Sequence, residues 1–180
     1  SDIYCEPYAE FLQVFHEIAI PDYLPYAFFI EGGALAVENA LKVAFDWKTR
    51  LNKSKGINIE RAQVIHFKQA FHGRSGYTMS LTNTDPKKVD YFPKFDWPRI
   101  NSPAMRFPVT NGVLEEVEKK EALALEQINQ SISNNPNDIS AMIIEPIQGE
   151  GGDNHFRDEF FVKLRAICDE NEILFILDEV

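Results

Sequence analysis

Groups able to bind or activate a small molecule fall in four short stretches of this 180-residue chain: Glu31-Gly32-Gly33-Ala34, Phe71-His72-Gly73-Arg74, Glu145-Pro146-Ile147-Gln148-Gly149-Glu150-Gly151-Gly152, and Asp178-Glu179. A glycine turn that opens a helix presents free backbone N–H groups and the positive end of the helix dipole, which suits a phosphate; the same residues also suit a plain tight turn. Neither GxGxxG nor GxxxxGK[ST] is present, so the turn is not one of the two standard nucleotide signatures. Phe71 offers a flat ring for stacking. Arg74 offers a fork that grips a carboxylate, or else one half of a surface or interface ion pair. Glu145, Gln148, Glu150, Asp153 and His155, with Asp178 and Glu179, hold enough oxygens for a hard cation. Their spacing matches no EF-hand or zinc pattern, and glutamates around a glycine turn serve equally as solvated or capping groups. His66 lies within a strand pattern and reads as a satisfied core or edge residue, while His16 and His155 have no stronger claim.

These stretches take their meaning from the elements that must carry them. Ile173-Leu174-Phe175-Ile176-Leu177 is an unbroken apolar run ending in Asp178-Glu179. Such a run predicts a strand covered on both faces, as in a parallel sheet, and the carboxyl edge of such a sheet is where open α/β folds bind ligands. Gln63–Phe67 and Ala141–Ile144 predict two more strands, the first followed by the loop Phe71–Gly76 and the second by Glu145-Pro146. Tyr26-Ala27-Phe28-Phe29-Ile30, bounded by Pro25 and Gly32-Gly33, predicts a short aromatic strand. Helical spacing joins Tyr4, Tyr8, Phe11, Leu12, Phe15 and Ile18, closed by Pro21. It recurs through Ala36, Val37, Ala40, Leu41, Ala44 and Phe45 to about Leu51, from Leu114 to Ile132, and through Phe160, Phe161, Leu164 and Ile167. Between Asn83 and Pro108, prolines at 86, 93, 98, 103 and 108 and several aromatic rings follow no period. That segment predicts an ordered excursion over the surface or into a subunit contact, with its rings buried. Strands alternating with helices predict an α/β fold, a mostly parallel sheet flanked by helices, in which all four stretches project to one edge.

The bulk properties narrow the ligand. A formal charge of -10, with no basic run longer than Lys87-Lys88 or Lys119-Lys120, disfavours nucleic acid or an anionic membrane as the main partner. Small molecules and other proteins remain. Cys5 and Cys168 are too few and too far apart for a disulfide framework or a zinc knuckle, in keeping with a reducing cytosol. No apolar stretch approaches the roughly 20 residues that span a bilayer, and Asp2, Glu6 and Glu10 stand where a signal peptide is apolar. The expectation is a soluble, cytoplasmic protein. A chain of this length buries roughly 70% of its unfolded surface, enough for one domain or a large piece of one.

Taken in order, FFIEGGALAVENALK, AFHGRSGYTMSLTNT, FPKFDWPRI, IIEPIQGEGGDNHFR and ILFILDEV resemble the class III aminotransferases that use pyridoxal 5′-phosphate, and among them the subgroup acting on the ε-amine of L-lysine. The resemblance covers nearly the whole chain and implies the large, cofactor-binding domain of a fold-type I transferase. By resemblance, Gly33 and Ala34 donate backbone N–H groups to the cofactor phosphate, and Phe71 stacks on the pyridine ring with His72 nearby. Asp178 pairs with the ring nitrogen, Val180 packs on the other ring face, and Glu145 with Gln148 supports the cofactor edge. A carboxylate beside the pyridine nitrogen favours the protonated ring and strengthens the cofactor as an electron sink. Arg74 is implied to bind the α-carboxylate of lysine, leaving the ε-amine toward the cofactor. Glu150 is implied to cover a downstream arginine while lysine is bound and to swing away for 2-oxoglutarate. The common class III turn carries Ser-Gly-Thr where this chain has Gly32-Gly33-Ala34, so backbone rather than a hydroxyl must hold the phosphate.

The reaction so implied moves the ε-amino group of L-lysine to 2-oxoglutarate, giving 2-aminoadipate 6-semialdehyde and glutamate, in a homodimer engaged in lysine degradation. No metal is assigned. The lysine that forms the Schiff base lies, by resemblance, downstream of Asp178-Glu179-Val180, and no lysine here occupies its motif; Lys68 sits before the Phe71 loop. Residues 1–180 are therefore expected to be part of the large domain, without its remainder or the small C-terminal domain, and inactive alone. Other readings are a class III ω-aminotransferase of the ornithine or 4-aminobutyrate type, a non-catalytic α/β binding module, and a divalent-metal hydrolase built on Glu145, Glu150, Asp153 and Asp178.

Overall fold

The computed structural model describes residues 4–58 and 61–179. Along the chain run helices α1 (Glu6–Ile18) and α2 (Gly33–Ser54), strand β1 (Gln63–Phe67), the short helices α3 (Thr78–Leu81) and α4 (Pro86–Val89), and strand β2 (Arg99–Ile100). Helix α5 (Asn111–Asn134), strands β3 (Ile139–Ile144), β4 (Ile147–Gln148) and β5 (Asn154–His155), helix α6 (Asp158–Glu170) and strand β6 (Leu174–Leu177) follow. Residues up to Glu31 form one compact unit and those from Gly32 onward another.

In the first unit, the spacing of Tyr8, Phe11 and Phe15 puts three rings on one stripe of α1. Phe29 packs edge-on against all of them, with centroids 6.4, 5.4 and 5.4 Å away. The strand expected over Tyr26–Ile30 does not form. The segment has no regular structure, and Tyr26 is 95% exposed. A strand persists only where a neighbouring ladder takes its N–H and C=O groups, and no described strand pairs with this one. The aromatic content that imitates a strand is used by Phe29 to cover α1.

The second unit is built on a four-stranded sheet in the order β2-β1-β3-β6, parallel throughout. β3 is buried at every position, and the two-residue period of a strand divides its side chains between two cores. Met142 and Ile144 join Ile65, Phe67, Phe160 and Leu164 on the side of α5 and α6, whereas Ala141 and Ile143 join Val64, Val37 and Leu41 on the side of α2. Full burial of one such Leu, Ile or Phe contributes about 1.5–3 kcal/mol. Parallel neighbours need long crossovers, and α5 and α6 supply them. α5 starts where the Thr110 hydroxyl accepts from Val113 N–H at 3.4 Å. The buried Lys48 of α2 donates to the carbonyls of Asn171 and Glu172, at 3.2 and 2.8 Å, and so ties α2 to the turn before β6. Burial lowers the Lys48 pKa, and the Glu172 charge opposes that shift.

Two further expectations are corrected here. The stretch from Asn83 to Pro108 is not only an excursion: it contains α4 and contributes β2, which edges the sheet through His66 N–H to Pro98 O (3.1 Å) and Lys68 N–H to Ile100 O (2.8 Å). A two-residue strand is too short to carry a period. Of its rings only Trp97 is buried, while Tyr91 is 89% exposed. The run ending in Leu177 is not covered on both faces either. β6 lies at a sheet edge with β3 as its partner, and its residues are half-buried or exposed. Phe175 packs toward the α5/α6 core, Leu174 and Ile176 toward α2, each only partly covered.

Candidate functional site

β1, β3 and β6 run the same way, so the chain leaves all three at one edge, and each exit leads into a chemically equipped stretch. A cleft of about 530 Å³ opens there, lined by Gly33, Ala34, Phe71, His72, Gly73, Arg74, Ser75 and Asp178. Its size is that of a small-molecule site. A smaller cavity of about 270 Å³, lined by Pro146, Ile147, Asp178 and Glu179, shares Asp178 with it.

Asp178 is placed by the sheet itself. The ladder between β6 and β3 runs one bond past the strand, Asp178 N–H to Ile144 O at 3.0 Å. Its Oδ2 then accepts from His72 Nδ1 at 2.8 Å; the imidazole is fully buried, and the Asp178 side chain is 12% exposed. A carboxylate takes the proton-bearing Nδ1, which leaves the other ring nitrogen to act as an acceptor or, in the cation, a donor. His72 Nε2 is buried without a hydrogen-bond partner among the described residues. Leaving such an atom unmet costs about 1–3 kcal/mol.

The loop after β1 is held from several sides. Phe71 N–H donates to Glu145 Oε2 at 3.2 Å, His72 N–H to Thr82 Oγ1 at 2.9 Å, and the Thr82 hydroxyl in turn to Gly73 O at 2.6 Å. Burial pushes the Glu145 carboxyl above its usual range, opposed by the Phe71 N–H and the nearby His72. Gly73 has φ 106, and a Cβ there would stand 2.6 Å from Ala34 Cβ, so the loop touches the first turn of α2 as only glycine permits. At Gly33 an added Cβ would meet nothing within 4 Å. The backbone that opens α2 therefore faces free space at the cleft wall.

Not every expected residue reaches the cleft. Arg74 does: it is exposed, lines the cleft, and has no ion-pair partner among the described residues. Glu150 is not among the lining residues. Its Oε1 accepts from Thr84 Oγ1 at 2.7 Å and Lys88 Nζ at 2.5 Å, and these bonds hold its carboxyl below the usual range. Lys88 Nζ also lies 5.9 Å from the centre of the Phe71 ring. Gln148 is buried and fully engaged within the protein, donating to Lys68 O at 2.9 Å and accepting from Ser102 Oγ at 3.2 Å and Asn154 Nδ2 at 3.0 Å. Val180 lies outside the described residues. His66 is an internal acceptor: Arg99 Nε donates to its Nε2 at 3.0 Å, and burial with the Arg99 charge drops its pKa to about 3. Among the described residues no group of three or more His, Cys, Asp or Glu side chains is gathered to hold a metal ion. The metal-hydrolase reading thus has no ligand set here.

Sequence reasoning missed Glu38, Thr82, Thr84 and Lys88. Glu38 had a legible signal, since it falls four residues after Ala34 and three before Leu41, a carboxylate within the apolar stripe of α2. It is 7% exposed, and its Oε1 accepts from Ser75 Oγ at 2.7 Å, Tyr77 N–H at 2.7 Å and Thr78 N–H at 3.3 Å. The hydroxyl-rich run from Ser80 to Thr84 carried a weaker one.

Residues 3–180 match the family described as Aminotransferase class-III. The chain is 51% identical over 181 residues to an L-lysine-epsilon aminotransferase of Mycobacterium tuberculosis, covering 100% of this chain and 40% of the relative. It is 34% identical over 193 residues to a 4-aminobutyrate aminotransferase of Schizosaccharomyces pombe, covering 97% of this chain and again 40% of the relative. Among solved structures, a lysine aminotransferase from M. tuberculosis in its internal aldimine form superposes with a TM-score of 0.92 at 50% identity, over 98% of this chain and 40% of that one. The chain thus spans about 40% of the length of the curated relatives it matches.

Proposed function

Since the chain belongs to the class III aminotransferases, we propose that it forms part of the pyridoxal 5′-phosphate site of an enzyme that moves the ε-amino group of L-lysine to 2-oxoglutarate, yielding 2-aminoadipate 6-semialdehyde and glutamate. The observation that carries this reading is the His72–Asp178 pair, at 2.8 Å, on the wall of a cleft whose other walls are an aromatic ring and the open start of a helix. A planar, phosphate-bearing pyridine fits that set. The N–H groups of Gly33 and Ala34 would hold the phosphate, and Phe71 would lie against the ring. Asp178 would hold a proton at the pyridine nitrogen, with the His72 N–H keeping the carboxylate oriented. When bound, pyridoxal 5′-phosphate supplies the electron sink that stabilises negative charge on the carbon bearing the amine.

Glu145 stands behind Phe71 and would support the cofactor edge. Gln148 would act one layer further out, by bracing the β4–β5 hairpin against Lys68. Arg74, an exposed cation at the wall with no partner of its own, would take the α-carboxylate of lysine, so that the distal amine is the end that reaches the cofactor. Glu150, docked on Thr84 and Lys88, would exchange that docking for an arginine outside the described residues. Among the described residues no lysine lines the cleft, and we assign the lysine that bonds to the cofactor to a longer polypeptide of which this chain is part of the large domain. We further propose a cytoplasmic homodimer. Cys5 and Cys168 are free thiols, in keeping with a reducing compartment, and among the described residues no helix is long and apolar enough to cross a membrane.

The choice of donor is tested by comparing kcat/KM for lysine, ornithine and 4-aminobutyrate in the natural polypeptide that carries this sequence, loaded with cofactor and with 2-oxoglutarate as acceptor. Lysine is expected to lead by at least about tenfold, the worth of one charge-assisted hydrogen bond. An equal or higher value for 4-aminobutyrate, which has no amine beside its carboxylate, would refute the lysine reading.

A further inference from the structure

We propose that Glu38 is the positioning residue for Arg74, fixing where the guanidinium meets a substrate carboxylate; the proposal rests on the reading of Arg74 given above. Arg74 sits between two attachments to the same helix. On one side, Gly73 lies so close to Ala34 that a Cβ would come within 2.6 Å of it. On the other, one oxygen of Glu38 takes the Ser75 hydroxyl at 2.7 Å and the N–H groups of Tyr77 and Thr78 at 2.7 and 3.3 Å. Ala34 and Glu38 are four residues apart, one turn of α2, and therefore lie on the same face. The segment between these two attachments has no strand ladder of its own; its other bonds, Thr82 hydroxyl to Gly73 O at 2.6 Å, Ser75 N–H to Thr78 Oγ1 at 2.9 Å, the Ser75 and Thr78 hydroxyls at 3.0 Å and Met79 N–H to Ser75 O at 3.0 Å, tie it to α3 and the residues beside it rather than to α2.

The guanidinium is thus exposed at its tip and held at its root, and the root is referred to Gly33 and Ala34, the other backbone lining the cleft. A substrate held by a carboxylate at one end and reacting at the other depends on that span, because misplacement by about 1 Å costs up to 10²-fold in productive binding. Removing the Glu38 carboxylate leaves the N–H groups of Tyr77 and Thr78 without their acceptor and the Ser75 hydroxyl with Thr78 Oγ1 alone, and so loosens the root of Arg74 from α2. A glutamine keeps one acceptor oxygen in the same place.

The test is made on the cofactor-loaded natural polypeptide, with lysine and with 1,5-diaminopentane, which keeps the amine and the chain length but lacks the carboxylate. Arg74→Ala is expected to raise KM for lysine by about 30-fold, in the range of a charged hydrogen bond, and to spare the diamine. Glu38→Ala is expected to raise KM for lysine about tenfold, with kcat and the diamine nearly unchanged, and to add nothing in the Arg74→Ala background. Glu38→Gln is expected to restore most of the loss. An equal rise for both substrates, or a further rise on top of Arg74→Ala, would overturn the proposal and make Glu38 a general scaffold. If Arg74→Ala itself spares lysine, the reading of Arg74 falls and this proposal with it, an outcome distinct from failure of Glu38 alone. Should Glu38→Ala not fold, Ser75→Ala removes one of the three donors, and an unchanged KM for lysine in that variant would equally overturn it.

Discussion

Asp178 gains its place from backbone and its orientation from one imidazole. Its N–H extends the β3 ladder, its carboxylate accepts from a fully buried ring nitrogen, and its remaining edge borders the cleft. Asp178→Asn keeps an acceptor for His72 but removes the charge. The variant is expected to fold normally and to lose about 10²–10³-fold in kcat, the scale set by removing a preorganised electrostatic partner; thermal unfolding and steady-state kinetics measure the two effects separately. His66 makes the opposite use of the same side chain. Held neutral with a pKa of about 3, against an ordinary value near 6.5, it resists a proton that the unfolded chain accepts. The folded-state pKa is depressed for a base, so the stabilisation is complete above the unfolded value and is lost as pH falls from about 6.5 toward 3. Urea titrations between pH 7.5 and 5 should show wild type losing stability and His66→Gln losing less; parallel curves would contradict the assignment. The strand pattern around His66 and the loop around His72 already separated the two in sequence; the fold adds what each ring meets, Arg99 for one and Asp178 for the other.

The elements explain why the parallel core was legible in sequence and the segments at its margins were not. β6 is an unbroken apolar run and β1 and β3 are largely apolar, and an acid or aromatic at the end of such a run can be assigned to the carboxyl edge without coordinates. Tyr26–Ile30 fails as a strand because pairing is supplied by a neighbour, which a local pattern cannot show. β2 escapes notice for the converse reason: Arg99 and Ile100 become a strand only by lying beside His66 and Phe67. Glu150 stands in a glycine-rich loop that the sequence marks as a candidate site, yet its partners Thr84 and Lys88 lie more than sixty residues away in sequence. The contact between the Phe71 loop and α2 gives this scale its prediction. Gly73→Ala places a Cβ 2.6 Å from Ala34 Cβ at φ 106, and such strain costs about 1–3 kcal/mol. The loop should detach from the helix, weakening pyridoxal 5′-phosphate affinity while the sheet core persists. Fluorescence titration with the cofactor, alongside circular dichroism, reads both; unchanged affinity would show that the loop does not need that contact.

As a whole the chain is acidic and carries a cleft built from glycine backbone, an aromatic ring, an imidazole–carboxylate pair and Arg74, which has no ion-pair partner among the described residues. It spans about 40% of its relatives, and as proposed above it would supply the cofactor's phosphate, ring and nitrogen contacts and the anchor for one end of the donor. The central claim, that the site hands over the distal rather than the α-amine of lysine, is tested most directly by isotope transfer. The cofactor-loaded natural polypeptide is incubated with 2-oxoglutarate and lysine labelled with ¹⁵N at either the ε or the α position, and the glutamate formed is examined by mass spectrometry. Label should appear in glutamate from ε-labelled lysine and not from α-labelled lysine. Label arriving from the α position, or no label from either, would contradict the account.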